Sequence, residues 1–222
     1  MRRKRKGAVS IIGGADGPTA VFLVGGACKK SFKARVQTYL YKRRRKRAEK
    51  KITAGTHSLA EVADYAMKKY HAIEMNPHSI SFMDNVSFME NKNSVKERLI
   101  RENKPELLAD IPDIPASEFH DEEAVKKVFR ELEKRSERIA EIPDNEINMD
   151  FHMYKISLEG GSLEFVLDYE WDIFFASYSG NQKEMKQLKK ICDDLYLYYG
   201  VSEKDIMEKT ERYSALLAEL SS

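Results

Sequence analysis

Apolar positions follow two different periods along the chain, and the period changes near residue 147. Before that point apolar residues recur every three or four positions, which is the spacing of one helix face. This spacing predicts helices over residues 29–51, 58–71, 94–104 and 122–140, and it leaves residues 75–93 ambiguous. A serine followed three positions later by glutamate, the capping box that opens a helix, occurs at Ser58 and again at Ser94.

Alternation with a period of two replaces the helical spacing from Ile147 onward, as expected of strands with one buried face. Gly160 and Gly161 predict a hairpin turn, and a bend near Glu170 would give a three-stranded meander. Trp171 is expected to be substantially buried on the apolar face of this meander. The face would contain Leu163, Phe165, Leu167, Tyr169, Trp171, Ile173 and Phe175.

Two further helices are expected after the meander, over residues 182–199 and 203–220. Gly200 would end the first, because glycine readily adopts the left-handed conformation of a helix stop, and Ser202 would cap the second. The order of elements predicts an α+β fold. It begins with an N-terminal glycine-rich hairpin and a long basic helix, continues with a helical middle, and ends with a small antiparallel β-meander covered by C-terminal helices.

Composition narrows the class of protein. The chain has 222 residues, of which 42% are hydrophobic and 33% charged, so it is long enough to bury a core. Its two cysteines, Cys28 and Cys192, are too few for a disulfide framework, which favours a reducing, cytoplasmic location. A fibrous protein, a disulfide-rich miniprotein and a multi-span membrane protein are excluded.

Charge is divided unevenly along the chain. Residues 1–51 contain 17 basic and two acidic residues, a net charge of +15, whereas residues 52–222 contain 21 basic and 34 acidic residues, a net charge of −13. We therefore predict a basic arm over residues 1–52 and an acidic α+β body over residues 53–222, with a subdivision near residues 105–118 left open. The arm could bind a protein partner or its own acidic body, and nucleic acid or an anionic membrane surface are alternatives.

The segment Ser10-Ile-Ile-Gly-Gly-Ala-Asp-Gly-Pro-Thr19 is the most specific motif. Two apolar runs flank a glycine-rich turn, in which Gly14 and Gly17 let the backbone approach a ligand closely. In an aqueous setting the segment predicts a β-hairpin. In a membrane or a buried setting it predicts a broken helix pair, where freed carbonyls together with Asp16 and Thr19 could coordinate a small hard cation.

The letters GGADGPT in this segment resemble the signature of the β subunits of sodium-ion-translocating decarboxylases, the biotin-dependent oxaloacetate and methylmalonyl-CoA pumps. The resemblance covers about residues 8–24. It implies an ion site in a discontinuous membrane helix, with Asp16 taking part in sodium and proton exchange and with Gly14, Gly17 and Thr19 beside it. Nothing after residue 28 offers about 20 uninterrupted apolar residues, so a complete pump is excluded. No cofactor is expected, except sodium if this segment is an ion site.

Residues 8–28 also resemble a targeting or anchoring segment in part. A basic start precedes the apolar run, as in a signal peptide, but residues 13–19 interrupt the apolar core. A single anchoring span would place Asp16 near the bilayer midplane, at a cost of about 2.5–3.5 kcal/mol. A cytoplasmic location is therefore preferred, and membrane association through residues 8–28 is the alternative.

Two charged groups suggest other chemistry. One is a run of six basic residues that could bind phosphates, beside Tyr39 and Tyr41, which could stack on bases. The run consists of Lys42, Arg43, Arg44, Arg45, Lys46 and Arg47. The other is a set of acidic residues on the polar side of the meander, which would be either an ordinary solvent-exposed face or a divalent-ion site. It consists of Glu164, Asp168, Glu170 and Asp172, near Asp150 and His152.

These patterns favour a non-catalytic, soluble interaction or accessory protein, in which the hairpin and the basic helix dock on a partner. No nucleophile with a paired base is found, so no catalytic residue and no metal ligand is assigned. The alternative is a membrane-associated component related to the sodium-ion-translocating decarboxylases, with Asp16 as an ion ligand. The identity of the partner and the oligomeric state do not follow from the sequence.

Overall fold

The chain divides into two units. The first consists of Met1–Lys51 and Leu220–Ser222, and the second consists of Ile52–Glu219. The computed structural model describes residues 8–11, 21–24, 32–78, 81–109 and 122–221. In the first unit, strands β1 (Ala8–Ile11) and β2 (Val21–Val24) pair antiparallel, and helix α1 spans Phe32–Glu49. The paired strands of the predicted hairpin and the long basic helix are confirmed, and the glycine-rich turn between the strands lies outside the described residues.

The body of the chain is an α+β structure, as predicted. Short 3₁₀ turns at Pro105–Leu108 and Asp144–Glu146 separate some of its elements. The last helix, α7, runs across the boundary between the two units. In chain order the elements are β3 (Gly55–Thr56), α2 (Leu59–Tyr70), β4 (Ile73–Glu74), α3 (Phe82–Asn103), α4 (Glu122–Glu141), β5 (Phe151–Leu158), β6 (Gly161–Asp168), β7 (Ile173–Gly180), α5 (Gln182–Tyr199), β8 (Gly200–Val201), α6 (Glu203–Glu208) and α7 (Glu211–Ser221).

The main sheet is antiparallel, with strands in the order β4-β5-β6-β7. Strands β5 and β6 form a tight hairpin in which Leu158 lies opposite Gly161, and β6 and β7 meet with Asp168 opposite Ile173. These three strands are the predicted meander. Strand β4 adds a fourth, which the sequence pattern did not predict.

Both faces of the sheet are buried. On one face, Leu163, Phe165 and Leu167 pack with apolar residues of α2 and α5. On the opposite face, Met153 and Val166 belong to a second core with apolar residues of α3. The expectation of a single buried face was wrong, because α3 covers the side that the alternating pattern had assigned to polar residues.

Two helix boundaries differ from the sequence prediction. Helix α3 begins at Phe82, because Ser81 caps it by accepting a hydrogen bond from the Asp84 N–H at 3.2 Å, and Ser94 therefore lies inside the helix. The predicted helix over residues 203–220 is broken into α6 and α7, since Lys209 adopts a left-handed conformation with φ of 55°. Ser58, Gly200 and Ser202 act as predicted.

Side-chain placement was wrong at four apolar residues. Ile173 and Phe175 were expected on the face of Leu163, but they pack on the opposite face, in the second core. Trp171 lies in the turn between β6 and β7 rather than on the sheet, and it is 37% exposed. Its indole N–H donates to the Ile147 carbonyl at 2.9 Å, which holds the ring at the edge of the core. In α4, Ile139 is buried as expected, but Leu132 points outward and is 45% exposed.

Candidate functional site

The six basic residues of α1 form a continuous charged surface, which we call the basic belt. Arginine and lysine are good helix formers, so the run extends the helix rather than ending it. The side chains of all six are exposed, and they are Lys42, Arg43, Arg44, Arg45, Lys46 and Arg47. Because successive residues of a helix are rotated by about 100°, six in a row surround the whole helix axis. The belt is therefore a ring of positive charge, not a stripe.

One acidic residue occurs in the sequence of α1. The Glu49 carboxylate lies 3.8 Å from Arg45, at the i,i+4 spacing. Both side chains are about half exposed, so the pair is screened by water and contributes little. This pairing leaves the belt strongly positive.

Exposed aromatic residues precede the belt. Tyr39 is 64% exposed and Tyr41 is 50% exposed. Tyr39 lies three residues after Val36 and next to Leu40, so these three exposed side chains share one side of α1. Tyr41 is rotated by about 200° from Tyr39 and lies on another side. Helix α1 therefore carries a short exposed apolar patch, followed by the basic belt, and Ala48 after the belt is buried.

The residues that the decarboxylase resemblance would place at an ion site lie outside the described part of the chain. These are Gly14, Asp16, Gly17 and Thr19. The strands described on either side, which end at Ile11 and begin at Val21, are paired as in the hairpin expected for an aqueous setting. The ion site itself stays a prediction.

The acidic residues of the meander do not form a common surface. Asp168 is fully buried, and its carboxylate accepts backbone hydrogen bonds from Asp150, Glu170 and Trp171, each at 3.1 Å. Burial raises the pKa of this carboxyl, and the three N–H donors offset part of that effect. Asp168 thus organises the turn after β6. In the described residues, no group of three or more His, Cys, Asp or Glu side chains could hold a metal ion.

A polar cluster between α2 and α5 was missed by the sequence reasoning. One carboxylate oxygen of Asp194 accepts hydrogen bonds from the Tyr65 and Tyr70 hydroxyls, both at 2.7 Å, and from the Lys69 ammonium at 2.9 Å. Burial alone would raise the pKa of Asp194, but these donors outweigh it and lower the pKa. No sequence signal could have found this cluster, because Asp194 lies more than 120 residues along the chain from its donors.

Two surface depressions lie on either side of Lys69, with volumes of about 370 and 420 Å³. Three rings are stacked beside the first one, since Tyr198 lies 3.8 Å from His57 and 3.9 Å from Tyr65 between ring centroids. Hydrogen bonds to Tyr65 and then to Asp194 raise the pKa of Lys69, so its amine stays protonated. A protonated amine is not a nucleophile, so this cluster holds α2 against α5 rather than supplying covalent chemistry.

His152 lies at the edge of the sheet between two carboxylates. Its ring nitrogens are 2.6 Å from Glu74 of β4 and 3.1 Å from Asp150. Burial alone would lower the pKa of His152, but the hydrogen bonds to Glu74 and Asp150 outweigh it and raise the pKa. When it is protonated, the imidazole bridges both carboxylates and ties the short strand β4 to β5.

Cys192 is the cysteine that the structure describes, and it lies in the core as predicted. Burial, followed by the nearby Glu219 carboxylate, raises the pKa of its thiol. The thiol stays protonated at neutral pH, so it cannot act as a thiolate nucleophile.

None of the helices in the described part of the chain has the length and apolar character needed to cross a bilayer. Comparison of the sequence with protein-family models gives no match. Comparison with curated proteins and with solved structures gives no match either. A functional argument for this chain therefore depends on its own residues, among which the basic belt is the strongest candidate for contact with a partner.

Proposed function

We propose that this protein is a non-catalytic interaction protein that binds an anionic partner through helix α1. The observation that carries the proposal is the basic belt, in which six consecutive positive side chains are all exposed on one regular helix. Neutral or acidic residues do not interrupt them, so the charge is concentrated in a small volume. The hairpin of β1 and β2 precedes this helix in the same unit.

The charge density of the belt favours an anionic partner. With a rise of 1.5 Å per residue, the six charges fall within about 8 Å along the helix axis. That distance is about one Debye length at physiological ionic strength, so salt screens neighbouring charges of the belt only in part. Their potentials add, and the combined field attracts anions.

Repulsion between the positive charges of the belt is a second reason to expect an anionic partner. Lys42 and Lys46 lie at the i,i+4 spacing, as do Arg43 and Arg47, and like charges at this spacing destabilise a helix by about 0.2–0.5 kcal/mol per pair. Glu49 relieves this repulsion at Arg45 alone. A bound anion would relieve it elsewhere, so binding and helix stability should reinforce each other.

Two side chains that could act as nucleophiles if they were deprotonated support the non-catalytic part of the proposal. The Cys192 thiol and the Lys69 amine are both held protonated by their surroundings. Each is also engaged in packing or hydrogen bonding that joins parts of the body. Their placement is that of structural residues.

Chromatography on immobilised heparin, a sulfated polyanion, tests the proposal with two variants of equal charge. The first replaces four residues of the belt with glutamine, which has a similar helix propensity. These are Arg43, Arg44, Lys46 and Arg47. The control replaces four exposed lysines of the body with glutamine. These are Lys183, Lys186, Lys190 and Lys204.

The belt variant should elute at a clearly lower salt concentration than the wild type, and the control variant should elute close to the wild type. Circular dichroism of all three proteins checks that helix content is unchanged. If the two variants elute together, net charge rather than the belt determines binding, and the proposal is wrong.

A further inference from the structure

The distribution of charge around α1 restricts the shape of the partner. On a helical projection, Arg43, Lys46 and Arg47 lie within about 100° of each other on one side. Lys42, Arg44 and Arg45 occupy the rest of the circumference. A flat anionic surface can contact only one side of such a helix, and it would leave about half of the charges in water.

A groove with negative charge on two walls fits this distribution. The major groove of B-form DNA is about 12 Å wide and admits an α-helix, whose diameter with side chains is about 10–12 Å. Rows of phosphates then flank the helix on both sides. Long basic side chains on opposite sides of α1 can reach both rows at once.

We infer that the anionic partner of α1 is double-stranded DNA, and that the basic belt lies in its major groove. This inference rests on the function proposed above and names its partner. Double-stranded RNA fits less well, because its major groove is deep and narrow and does not admit protein side chains in the same way.

The residues before the belt agree with a DNA partner more than with a membrane. A helix that binds a membrane surface needs a continuous apolar face opposite its charged face. Val36, Tyr39 and Leu40 share one side of α1, but this apolar side does not continue into the belt, because residues 42–47 are all basic. Tyr39 lies four residues before Arg43 and therefore on the same side, where its hydroxyl can donate to a phosphate.

Fluorescence anisotropy with a labelled DNA duplex tests the inference through two matched triple variants. One replaces Arg43, Lys46 and Arg47 with glutamine, and the other replaces Lys42, Arg44 and Arg45 with glutamine. The first variant removes three charges within about 100° of the helix circumference, and the second removes the three that are spread over the rest of it. A third variant removes three charges from the body, at Lys183, Lys186 and Lys204.

Both belt variants should weaken duplex binding by similar factors, of roughly tenfold or more at low salt, and the body variant should bind like the wild type. For the wild type, contact with four phosphates would give a salt slope of about −3.6, so that doubling the salt concentration weakens binding by about twelvefold. Each belt variant should lower the magnitude of that slope by about 0.9 for every phosphate that the helix no longer neutralises.

The other outcomes separate this inference from the proposed function. If only one belt variant loses affinity, the partner surface is flat and the groove arrangement is wrong. If the wild type binds poly-glutamate or vesicles containing an anionic lipid at least as tightly as the duplex, DNA is not the partner, although the proposed function stands. If the wild type binds none of these anions, both are overturned.

Discussion

Replacing Asp168 with asparagine tests how the meander is held together. The Asp168 carboxylate is fully buried and accepts three backbone hydrogen bonds, from Glu170 and Trp171 at one oxygen and from Asp150 at the other. Asparagine has the same shape. Its amide oxygen can replace the first carboxylate oxygen, but its NH₂ group then faces the Asp150 N–H.

The expected loss of stability follows from the Asp150 N–H, which has no acceptor in the variant. A buried backbone N–H that is left without an acceptor costs about 1–3 kcal/mol. Loss of the charge offsets part of this cost, because burial of the carboxylate is itself unfavourable and raises the pKa of Asp168. We therefore expect Asp168→Asn to lower the free energy of unfolding by about 1–2 kcal/mol at neutral pH.

The sign of the pH dependence provides an independent check. The pKa of Asp168 is raised above its ordinary value of 3.8, so the folded protein binds this proton more tightly than the unfolded chain does. Its contribution to stability is complete below that value and is lost as pH rises through the folded-state pKa. The difference in stability between wild type and Asp168→Asn should therefore be larger near pH 4 than at neutral pH.

Urea-induced unfolding, followed by the fluorescence of Trp171, is a suitable assay. Trp171 is the one tryptophan in the chain and lies in the turn that Asp168 organises. Asp172→Asn is the matched control, since that carboxylate is in the same turn but its side chain is 64% exposed. The control should change stability by no more than about 0.5 kcal/mol. If Asp168→Asn has an effect as small as that of the control, the buried hydrogen bonds do not hold the turn.

Three further predictions concern other titratable or charged residues. The pKa of His152 is raised, so its pairing with Glu74 stabilises the protein fully below about pH 6.5, and this stabilisation is lost as pH rises through the folded-state pKa. In thermal melts, His152→Gln should abolish that part of the pH dependence. Asp194→Asn should lower the free energy of unfolding by about 1 kcal/mol in urea. The substitution removes the screened ion pair with Lys69, but the asparagine amide oxygen can still accept hydrogen bonds from the Tyr65 and Tyr70 hydroxyls. In thermal melts, the wild type and Asp16→Asn should each give superimposable curves in matched sodium and potassium chloride. A rise specific to sodium in the wild type that vanishes in Asp16→Asn would favour the ion-site alternative.

Local signals in the sequence were sufficient where a few neighbouring residues determine the structure. The capping box at Ser58 starts α2 as predicted, with Glu61 completing it. The same letters at Ser94 failed, because Ser81 caps the helix earlier and Phe88 then packs on the sheet as part of that longer helix. A capping pattern alone cannot tell which of two candidate starts is used.

Packing between distant segments could not be predicted in the same way. The alternating pattern placed Asp168 on a polar face, but α3 covers that face, and the acid is buried because the turn after β6 needs an acceptor. Asp194 was missed for a related reason, since its donors come from a helix far away in the chain. The basic belt was found from the sequence because its residues are contiguous.

The salt dependence of binding to a labelled DNA duplex tests the central claim most directly. For the wild type, the slope of log Kd against log salt concentration should be steep. The slope should be much shallower for the belt variant, in which Arg43, Arg44, Lys46 and Arg47 are replaced with glutamine. Every phosphate that is no longer neutralised lowers the magnitude of the slope by about 0.9. The control variant, with Lys183, Lys186, Lys190 and Lys204 replaced, should keep the slope of the wild type. Equal slopes for the wild type and the belt variant would contradict the claim that α1 binds the anionic partner.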